Sequence, residues 1–246
     1  MKCKILILFI IISSLLFSAN LEFGFGISAG ATAEFSHVDY YAGNIEEAGS
    51  RIDSGLSLSG FLDIGANFEL PNGGALSSVS LLFETGYYYY KRVRTRYEEY
   101  EINHIYFYHN LILGIMPKLN FDYGISLGIG AGIFLPLYSE TGKRSEKSNT
   151  GLSSYFYDGY EKFNFEKISY LYKVPIMPYI KLNLEKNFYM SDSWAFKIGA
   201  NLIYNFGMEF DMDKLKKDAK TYIFDKYKFS SLDFEIFFGF GFGRPK

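Results

Sequence analysis

Few residues of this chain could take part in catalysis or metal binding. The sequence holds three histidines, His37, His104 and His109, and one cysteine, Cys3. A hydrolytic triad needs a histidine within hydrogen-bond reach of both a nucleophile and an acid, and the spacing here brings no such set together. We therefore predict that the protein is not an enzyme. A lipid-modifying hydrolase or acyltransferase stays open as a minor alternative.

Two short segments invite a ligand-binding interpretation that their spacing does not support. GIGAG, Gly128–Gly132, lacks the GxGxxG spacing of a phosphate-binding loop and lies inside an alternating strand pattern. DMD, Asp211–Asp213, has too few acidic neighbours for a calcium loop. We predict no bound cofactor and no metal.

Charged residues that share one parity along the predicted strands are the remaining candidates for a site. If that parity faces an enclosed interior, these charges need partners of opposite sign. The same parity also carries Glu22, Glu34, Glu69 and Asp233. The predicted polar network of the interior consists of Glu84, Asp63, Lys173, Lys181, Lys197 and Glu235.

These charges lie on segments in which apolar and polar residues alternate, which is typical of strands with two different faces. The abundance of Tyr, Phe and Gly, with few prolines, also favours strands. The eight alternating runs are Leu21–Phe35, Gly55–Leu70, Ser78–Tyr89, Ile105–Ile115, Gly124–Leu137, Ser169–Glu185, Trp194–Gly207 and Leu232–Gly243.

The connections between the runs alternate in length. Short turns such as PNGG, Pro71–Gly74, fall on one side, and longer polar connections fall on the other. This asymmetry is typical of an up-and-down meander in an outer membrane, with tight periplasmic turns and four longer outer loops. Lys91–Glu101 and Ser139–Lys167 are predicted to be outer loops, and Asp213–Lys228 a loop with a short helical piece.

The stretch IFFGFGFG, Ile236–Gly243, indicates which face meets lipid. Its apolar parity is continuous, while glycine dominates the other parity, where a water-facing surface would normally carry many charges. Small residues suit the interior of an eight-stranded barrel, which is only wide enough for side chains to fill. The sequence therefore predicts an all-β fold, an eight-stranded antiparallel up-and-down transmembrane β-barrel, although a soluble barrel turned inside out gives the same alternation.

The first residues predict export. MKCKILILFIIISSLLFSAN places two lysines before an apolar run that is too short to span a bilayer, so we predict a signal peptide over residues 1–19 and a barrel domain over residues 20–246. Cys3 would leave with the signal, which removes disulfides and thiolate sites. The formal net charge of −2 gives no basic excess for binding nucleic acid.

From these features the chain resembles the small eight-stranded outer-membrane β-barrel domains, the OmpA-like and porin-family proteins. The resemblance covers Leu21 to Gly243 and rests mainly on ISYLYKVPIMPYIKLNL, Ile168–Leu184, and on the aromatic alternation of the last run. That family ends its last strand with an aromatic residue, whereas here four residues follow Phe242. The resemblance implies a location in the outer membrane of a diderm bacterium, with membrane lipid as a partner.

Three functions are compatible with this interpretation. The first is a non-enzymatic structural or surface protein that meets a surface ligand or host partner through its outer loops. The second is a narrow pore for small solutes through the glycine-lined interior, and the third is a soluble lipid-binding barrel in the periplasm. The filled interior expected for eight strands favours the first.

Overall fold

The chain forms long antiparallel strands, and the computed structural model describes residues 20–42, 45–70, 74–96, 102–147, 154–214 and 224–243. The predicted signal peptide lies outside the described residues. The strands are β1 (Asn20–Ala42), β2 (Ile45–Glu69), β3 (Leu76–Arg96), β4 (Ile102–Phe121), β5 (Ile125–Lys147), β6 (Ser154–Asn164), β7 (Met177–Tyr189), β8 (Trp194–Asn205) and β9 (Phe224–Phe242).

Eight of these strands close into a barrel. Neighbouring strands pair antiparallel in the order β1-β2-β3-β4-β5-β7-β8-β9, and pairing of β9 with β1 closes the ring. This confirms the predicted eight-stranded up-and-down barrel. Among the described strands, β6 pairs with β5 alone and stands outside the ring.

The barrel has two unlike ends. One end carries Asn20, Gly243 and three short connections, one of which is the 3-10 turn Asp122–Gly124, and we call it the short-turn end. The opposite end, called the long-hairpin end, carries the β1–β2 and β3–β4 hairpins and the connection that contains β6. Both predicted groups of connections, short and long, are therefore present.

The predicted alternation is confirmed along the barrel strands. On β9, for example, Ser231, Asp233 and Glu235 are buried in the interior, while Phe234 and Ile236 are exposed on the outside. A two-residue period is what a strand needs when its two faces meet different surroundings.

The strands extend further than the alternation predicts. β1 and β2 run for 23 and 25 residues and meet near Ala42 and Ile45, where a long loop is expected from the sequence. Likewise β3 continues to Arg96, and much of the predicted loop Ser139–Lys167 is a β5–β6 hairpin. The apolar alternation therefore marks only part of each strand, and ladder pairing continues beyond it.

One prediction about the strands is wrong. The sixth run was expected to be a strand from Ser169, but Phe165–Leu171 is a helix, α1, and β7 begins only at Met177. Asn164 caps α1, because its side-chain oxygen accepts a hydrogen bond from Lys167 N at 3.0 Å. The predicted short helical piece within Asp213–Lys228 stays a prediction, because residues 215–223 lie outside the described residues; only the part from Phe224 onward is known to be strand, as the start of β9.

None of the helices in the described part of the chain is long and apolar enough to cross a membrane.

Candidate functional site

The outer face of the barrel is a continuous apolar belt. Aromatic rings gather at its short-turn rim, where Phe23 packs against Phe242 with ring centroids 6.1 Å apart and Trp194 lies 6.1 Å from Phe240. The large exposed side chains of the belt include Leu21, Ile27, Leu56, Leu81, Phe83, Ile129, Ile180, Leu182, Phe234, Ile236 and Phe238.

This belt shows what surrounds the outer face of the barrel. Soluble monomers rarely expose an apolar surface that runs around the whole molecule, whereas hydrocarbon requires it. An apolar outside, a polar inside and aromatic rims are together the arrangement of outer-membrane barrels. The chain is therefore a transmembrane β-barrel with the architecture of outer-membrane barrels.

The interior at the short-turn end is filled by amides and hydroxyls. Ser80 lies at the centre of this layer, since its hydroxyl accepts hydrogen bonds from Asn67 Nδ2 at 2.9 Å and Asn120 Nδ2 at 2.7 Å. The same hydroxyl donates to Glu22 Oε2 at 2.5 Å. Each of these groups is buried, so the bonds satisfy polar atoms that water cannot reach.

Ion pairs occupy the next layer of the interior. Lys118 Nζ lies 2.8 Å from Glu185 Oε2, and their side chains are 0% and 2% exposed. Lys181 forms a second buried pair with Glu84, and Tyr179 also donates to Glu84, at 3.3 Å. Charges at such depth are tolerated because each has a partner of opposite sign.

The structure places five of the six predicted network residues in the interior. Glu84 and Asp63 face each other across β2 and β3, and Lys181 reaches Glu84 from β7. Lys197 is buried at the short-turn end, where it fills the space above Gly24 and Gly241. Glu235 is buried on β9 further toward the long-hairpin end, so the five residues span several layers and do not form one cluster.

Lys173 does not belong to this network. Its side chain is 51% exposed and pairs with Glu209 at 2.5 Å, at the long-hairpin end. This hydrogen bond raises the pKa of Lys173 and lowers the pKa of Glu209. The parity that placed Lys173 inside assumed a strand from Ser169, but α1 interrupts that strand.

Lys118 is one of the buried charges that the sequence prediction missed, and Asp53 is another. Lys118 lies between Pro117 and Leu119, in the short connection expected between the fourth alternating run, which ends at Ile115, and the fifth, which begins at Gly124. The alternation in fact continues there, with Pro117 and Leu119 exposed and Lys118 and Asn120 buried. Extending the two-residue period to Phe121 would have found it.

Glycines on the inner face make room for these long side chains. A Cβ at Gly114 would lie 2.2 Å from the Tyr179 hydroxyl oxygen, and a Cβ at Gly241 would lie 2.2 Å from Lys197 Cε. A Cβ at Gly199 would lie 2.4 Å from the Phe237 ring. The glycine parity of the sequence thus reflects a crowded interior and not an open channel.

This crowding predicts the effect of one added methyl group. Gly114→Ala is expected to lower the free energy of unfolding by about 1–3 kcal/mol, because the new Cβ overlaps the Tyr179 hydroxyl. Adding Tyr179→Phe should recover part of the loss. The control is Gly130→Ala, whose Cβ would meet nothing closer than 3.3 Å. Equal effects of the two alanines in a denaturant titration would contradict the packing described here.

An aromatic cap closes the interior toward the long-hairpin end. Tyr90 stacks on Tyr108 at 4.7 Å between ring centroids, and Phe134 lies 4.5 Å from both Tyr88 and Tyr179. Rings stacked at such distances form a rigid apolar layer. The cap consists of Tyr88, Tyr90, Tyr108, Ile112, Phe134, Ile168, Tyr172, Met177, Tyr179, Ile203, Met208 and Phe229.

Helix α1 and residues 206–212 hold the top of the cap in place. Tyr172 packs on Phe210 with ring centroids 4.4 Å apart. The two segments also share backbone hydrogen bonds, from Lys173 N to Glu209 O at 3.0 Å and from Asp211 N to Leu171 O at 2.8 Å. Beneath the cap an internal cavity of about 20 Å³ remains, which is room for about one water molecule.

The histidines do not form a catalytic arrangement with the residues described around them. His109 stacks on Tyr138 with ring centroids 3.9 Å apart, and its Nδ1 is hydrogen-bonded to the Tyr87 hydroxyl. The nearby Glu140 carboxylate pairs with Lys162 at 3.0 Å. His37 is exposed, and the side chain of His104 lies outside the described part. Within that part, no group of three or more His, Cys, Asp or Glu residues is suited to hold a metal.

Comparison with known proteins adds likenesses of low identity. No protein-family model and no curated protein matches the chain. Among solved structures, the chain is similar to Ail, the attachment invasion locus protein of Yersinia pestis, with 14% identity and a TM-score of 0.32 over 89% of this chain and 98% of that chain.

Two further solved structures are similar over most of their length. The outer membrane protein OprG from Pseudomonas aeruginosa has 9% identity and a TM-score of 0.33, over 92% of this chain and 95% of that chain. The outer membrane protease OmpT from Escherichia coli has 9% identity and a TM-score of 0.38, over 91% of this chain and 97% of that chain.

Proposed function

We propose that this chain is a non-enzymatic surface protein of the outer membrane, which acts through the strands and hairpins of its long-hairpin end. In this proposal residues 1–19 direct export and are removed, and the short-turn end faces the periplasm. The polar network of the interior then has a structural role. It holds the barrel strands together and leaves the interaction with partners to the exposed end.

The aromatic cap is the observation that carries this proposal. A pore needs a continuous aqueous path, but here stacked rings lie above layers of ion pairs and amides, and the cavity between them holds only about 20 Å³. Solute passage would require several of these layers to move together. The capped interior therefore favours the surface role over the narrow pore.

The two faces of the barrel also disfavour a soluble lipid-binding barrel. Such a protein keeps an apolar cavity inside and charges outside. Here Glu22, Asn67 and Lys118 fill the inside, while Ile129 and Leu182 are exposed. A lipid chain would find neither space nor an apolar lining in the interior.

The long-hairpin end offers concave surface to a partner. An open groove of about 480 Å³ is lined by Phe35, His37, Ile52 and Lys228, among others. A second open groove, of about 500 Å³, runs along α1 beside Glu166, Tyr170 and Lys214. Both combine apolar and charged side chains, which suits a surface ligand or host partner better than a small apolar compound.

Planar-bilayer recording tests the closed interior. The purified, folded chain is expected to insert without discrete conductance steps at moderate voltage, because the cap and the ion-pair layer block the path. A porin recorded under the same conditions is the positive control. Reproducible openings of one unit size would overturn the closed-interior proposal and favour the pore.

A hairpin exchange tests the surface role separately. In one variant a short Gly-rich turn replaces residues 143–158, which shortens β5 and β6 at the long-hairpin end and leaves the part of β5 within the apolar belt unchanged. We expect heat-modifiable gel migration like that of the parent, but lower retention of expressing cells on serum-coated plates. Unchanged retention would remove this hairpin from the proposal. A long-hairpin end that stays uncut when intact cells are treated with protease would contradict the orientation.

A further inference from the structure

A groove on the outer face of the barrel lies where the apolar belt ends toward the long-hairpin end. Its volume is about 480 Å³, and it is lined by Phe35 and His37 on β1, Ile52 on β2, and Lys228 and Ser230 on β9. Phe35 is paired with Ile52 on one side and with Ser230 on the other. His37 is paired with Lys228, one step nearer the long-hairpin end. The groove therefore has an apolar floor and an edge that carries a lysine and a histidine.

The spacing along β1 places this groove at the depth of lipid headgroups. Phe23 belongs to the aromatic rim at the short-turn end, where it packs against Phe242 with ring centroids 6.1 Å apart. Phe35 lies twelve residues further along the same strand. A strand rises about 3.3 Å per residue and tilts by about 40° in such a barrel, so Phe23 and Phe35 are about 30 Å apart along the membrane normal. That distance is the thickness of the hydrocarbon layer, and His37 and Lys228 lie just beyond it.

The edge of the groove offers cationic and hydrogen-bonding groups to an anion. Lys228 is exposed, and no acid in the described part of the chain forms an ion pair with it. Glu209 lies beside Lys228 through an isolated backbone bridge, but its carboxylate pairs with Lys173 at 2.5 Å. His37 is also exposed, and an imidazole carries at least one N–H in either charge state. Lys228 and His37 together therefore suit a negatively charged group at headgroup depth.

The outer face of β1 continues this groove into the apolar belt. Ala29, Ala31 and Ala33 occupy its lipid-facing positions below the groove. Taller side chains stand on both sides, since Ala31 is paired with Leu56 on β2 and with Phe234 on β9, which are 62% and 53% exposed. The alanines are not a binding site by themselves, but they extend the groove as a furrow in which an acyl chain fits.

We propose that this groove binds a lipid with a phosphate headgroup, in the leaflet at the long-hairpin end. Lys228 and His37 hold the phosphate, and an acyl chain lies along the alanine furrow. A free anion would leave Phe35 and Ile52 uncovered, whereas a lipid satisfies the charged edge and the apolar floor together. In the orientation proposed above, this leaflet is the outer one. The groove along α1 remains for the partner of the surface role.

Native mass spectrometry of retained lipid tests this site. The folded chain is placed in micelles that hold equal amounts of phosphatidic acid, which presents a phosphate monoester, and phosphatidylcholine, whose phosphate is covered by choline. We expect phosphatidic acid to be retained in preference. Lys228→Gln should reduce that preference about fivefold, which corresponds to about 1 kcal/mol for one lysine near anionic lipid. Adding His37→Ala should reduce it further, and Lys228→Arg should keep it.

Lys214→Gln is the matched control, because it removes a half-exposed lysine at the same end, beside the groove along α1. It should leave the preference unchanged. Heat-modifiable gel migration checks that each variant is folded. A preference that survives Lys228→Gln/His37→Ala, or that falls equally in Lys214→Gln, would overturn the proposal.

Inorganic phosphate distinguishes a lipid site from an ion site. At a concentration equal to that of phosphatidic acid it should not displace the retained lipid, because it makes no contact with the apolar floor. Displacement, or equal retention of the two lipids by the wild-type chain, would overturn the proposal without the use of any variant. None of these results bears on the surface role, which the hairpin exchange tests separately.

Discussion

Replacing Lys118 by Met is expected to lower the free energy of unfolding by about 3–5 kcal/mol, because it removes the cation that pairs with the buried Glu185 carboxylate. The pair is fully buried, with 2.8 Å between Lys118 Nζ and Glu185 Oε2. Equilibrium denaturant unfolding in lipid vesicles measures the change. The fluorescence of Trp194 reports it, since the chain has one tryptophan.

The double variant Lys118→Met/Glu185→Gln separates charge from packing. Glutamine keeps an oxygen for the hydrogen bond from Asn187 Nδ2, which reaches Glu185 Oε1 at 3.3 Å. With neither member of this pair charged, most of the lost stability should return, so the two single effects should not add. Additive losses would show that the pair acts through shape and not through charge.

Lys173→Met is the matched control, since the same chemical pair occurs at the surface. Lys173 and Glu209 are in contact, but Lys173 is half exposed and water screens its charge. Stability should therefore change little. A loss as large as that of Lys118→Met would contradict the placement of Lys173 outside the interior.

The contrast between these two lysines shows what the sequence could predict. Where a strand has lipid on one side and packed side chains on the other, every second residue is constrained, and the barrel follows from that period. Glu84, Asp63, Lys181, Lys197 and Glu235 were placed inside by parity alone. Lys173 was misplaced because one helical turn breaks the phase, and nothing in the apolar pattern of Tyr170 and Tyr172 reveals it.

Two other features could not be predicted from the sequence, each for a physical reason. The ends of β1 and β2 continue as a paired ladder beyond the alternating residues, where the composition resembles that of a loop. The aromatic cap and the buried ring of Phe237 were missed because Tyr88, Phe134 and Phe237 place large rings on the parity otherwise held by small residues. Only the neighbouring strands, where Gly114, Gly132 and Gly199 make space, show that such rings fit inside.

The second large effect concerns the outer face. Ile236→Arg is expected to lower the free energy of unfolding in lipid vesicles by about 2–4 kcal/mol, because it places a charge near the middle of the apolar belt. Ile236 is 49% exposed and lies opposite Ala29 on β1 and Ala200 on β8, with apolar residues on both sides. Ile236→Leu keeps the surface apolar and controls for the loss of the native side chain.

A second substitution on β9, at a different depth in the apolar belt, distinguishes a lipid-facing surface from a water-facing one. Phe242 lies at the short-turn rim, where an arginine can reach the headgroups, so Phe242→Arg should cost only about 0–1 kcal/mol. A water-facing surface would accept both arginines within about 0.5 kcal/mol, with no dependence on depth. The ratio of the two effects therefore tests the lipid assignment independently of how well either variant packs. Equal, small changes in the free energy of unfolding at both positions would contradict the assignment of this face to lipid.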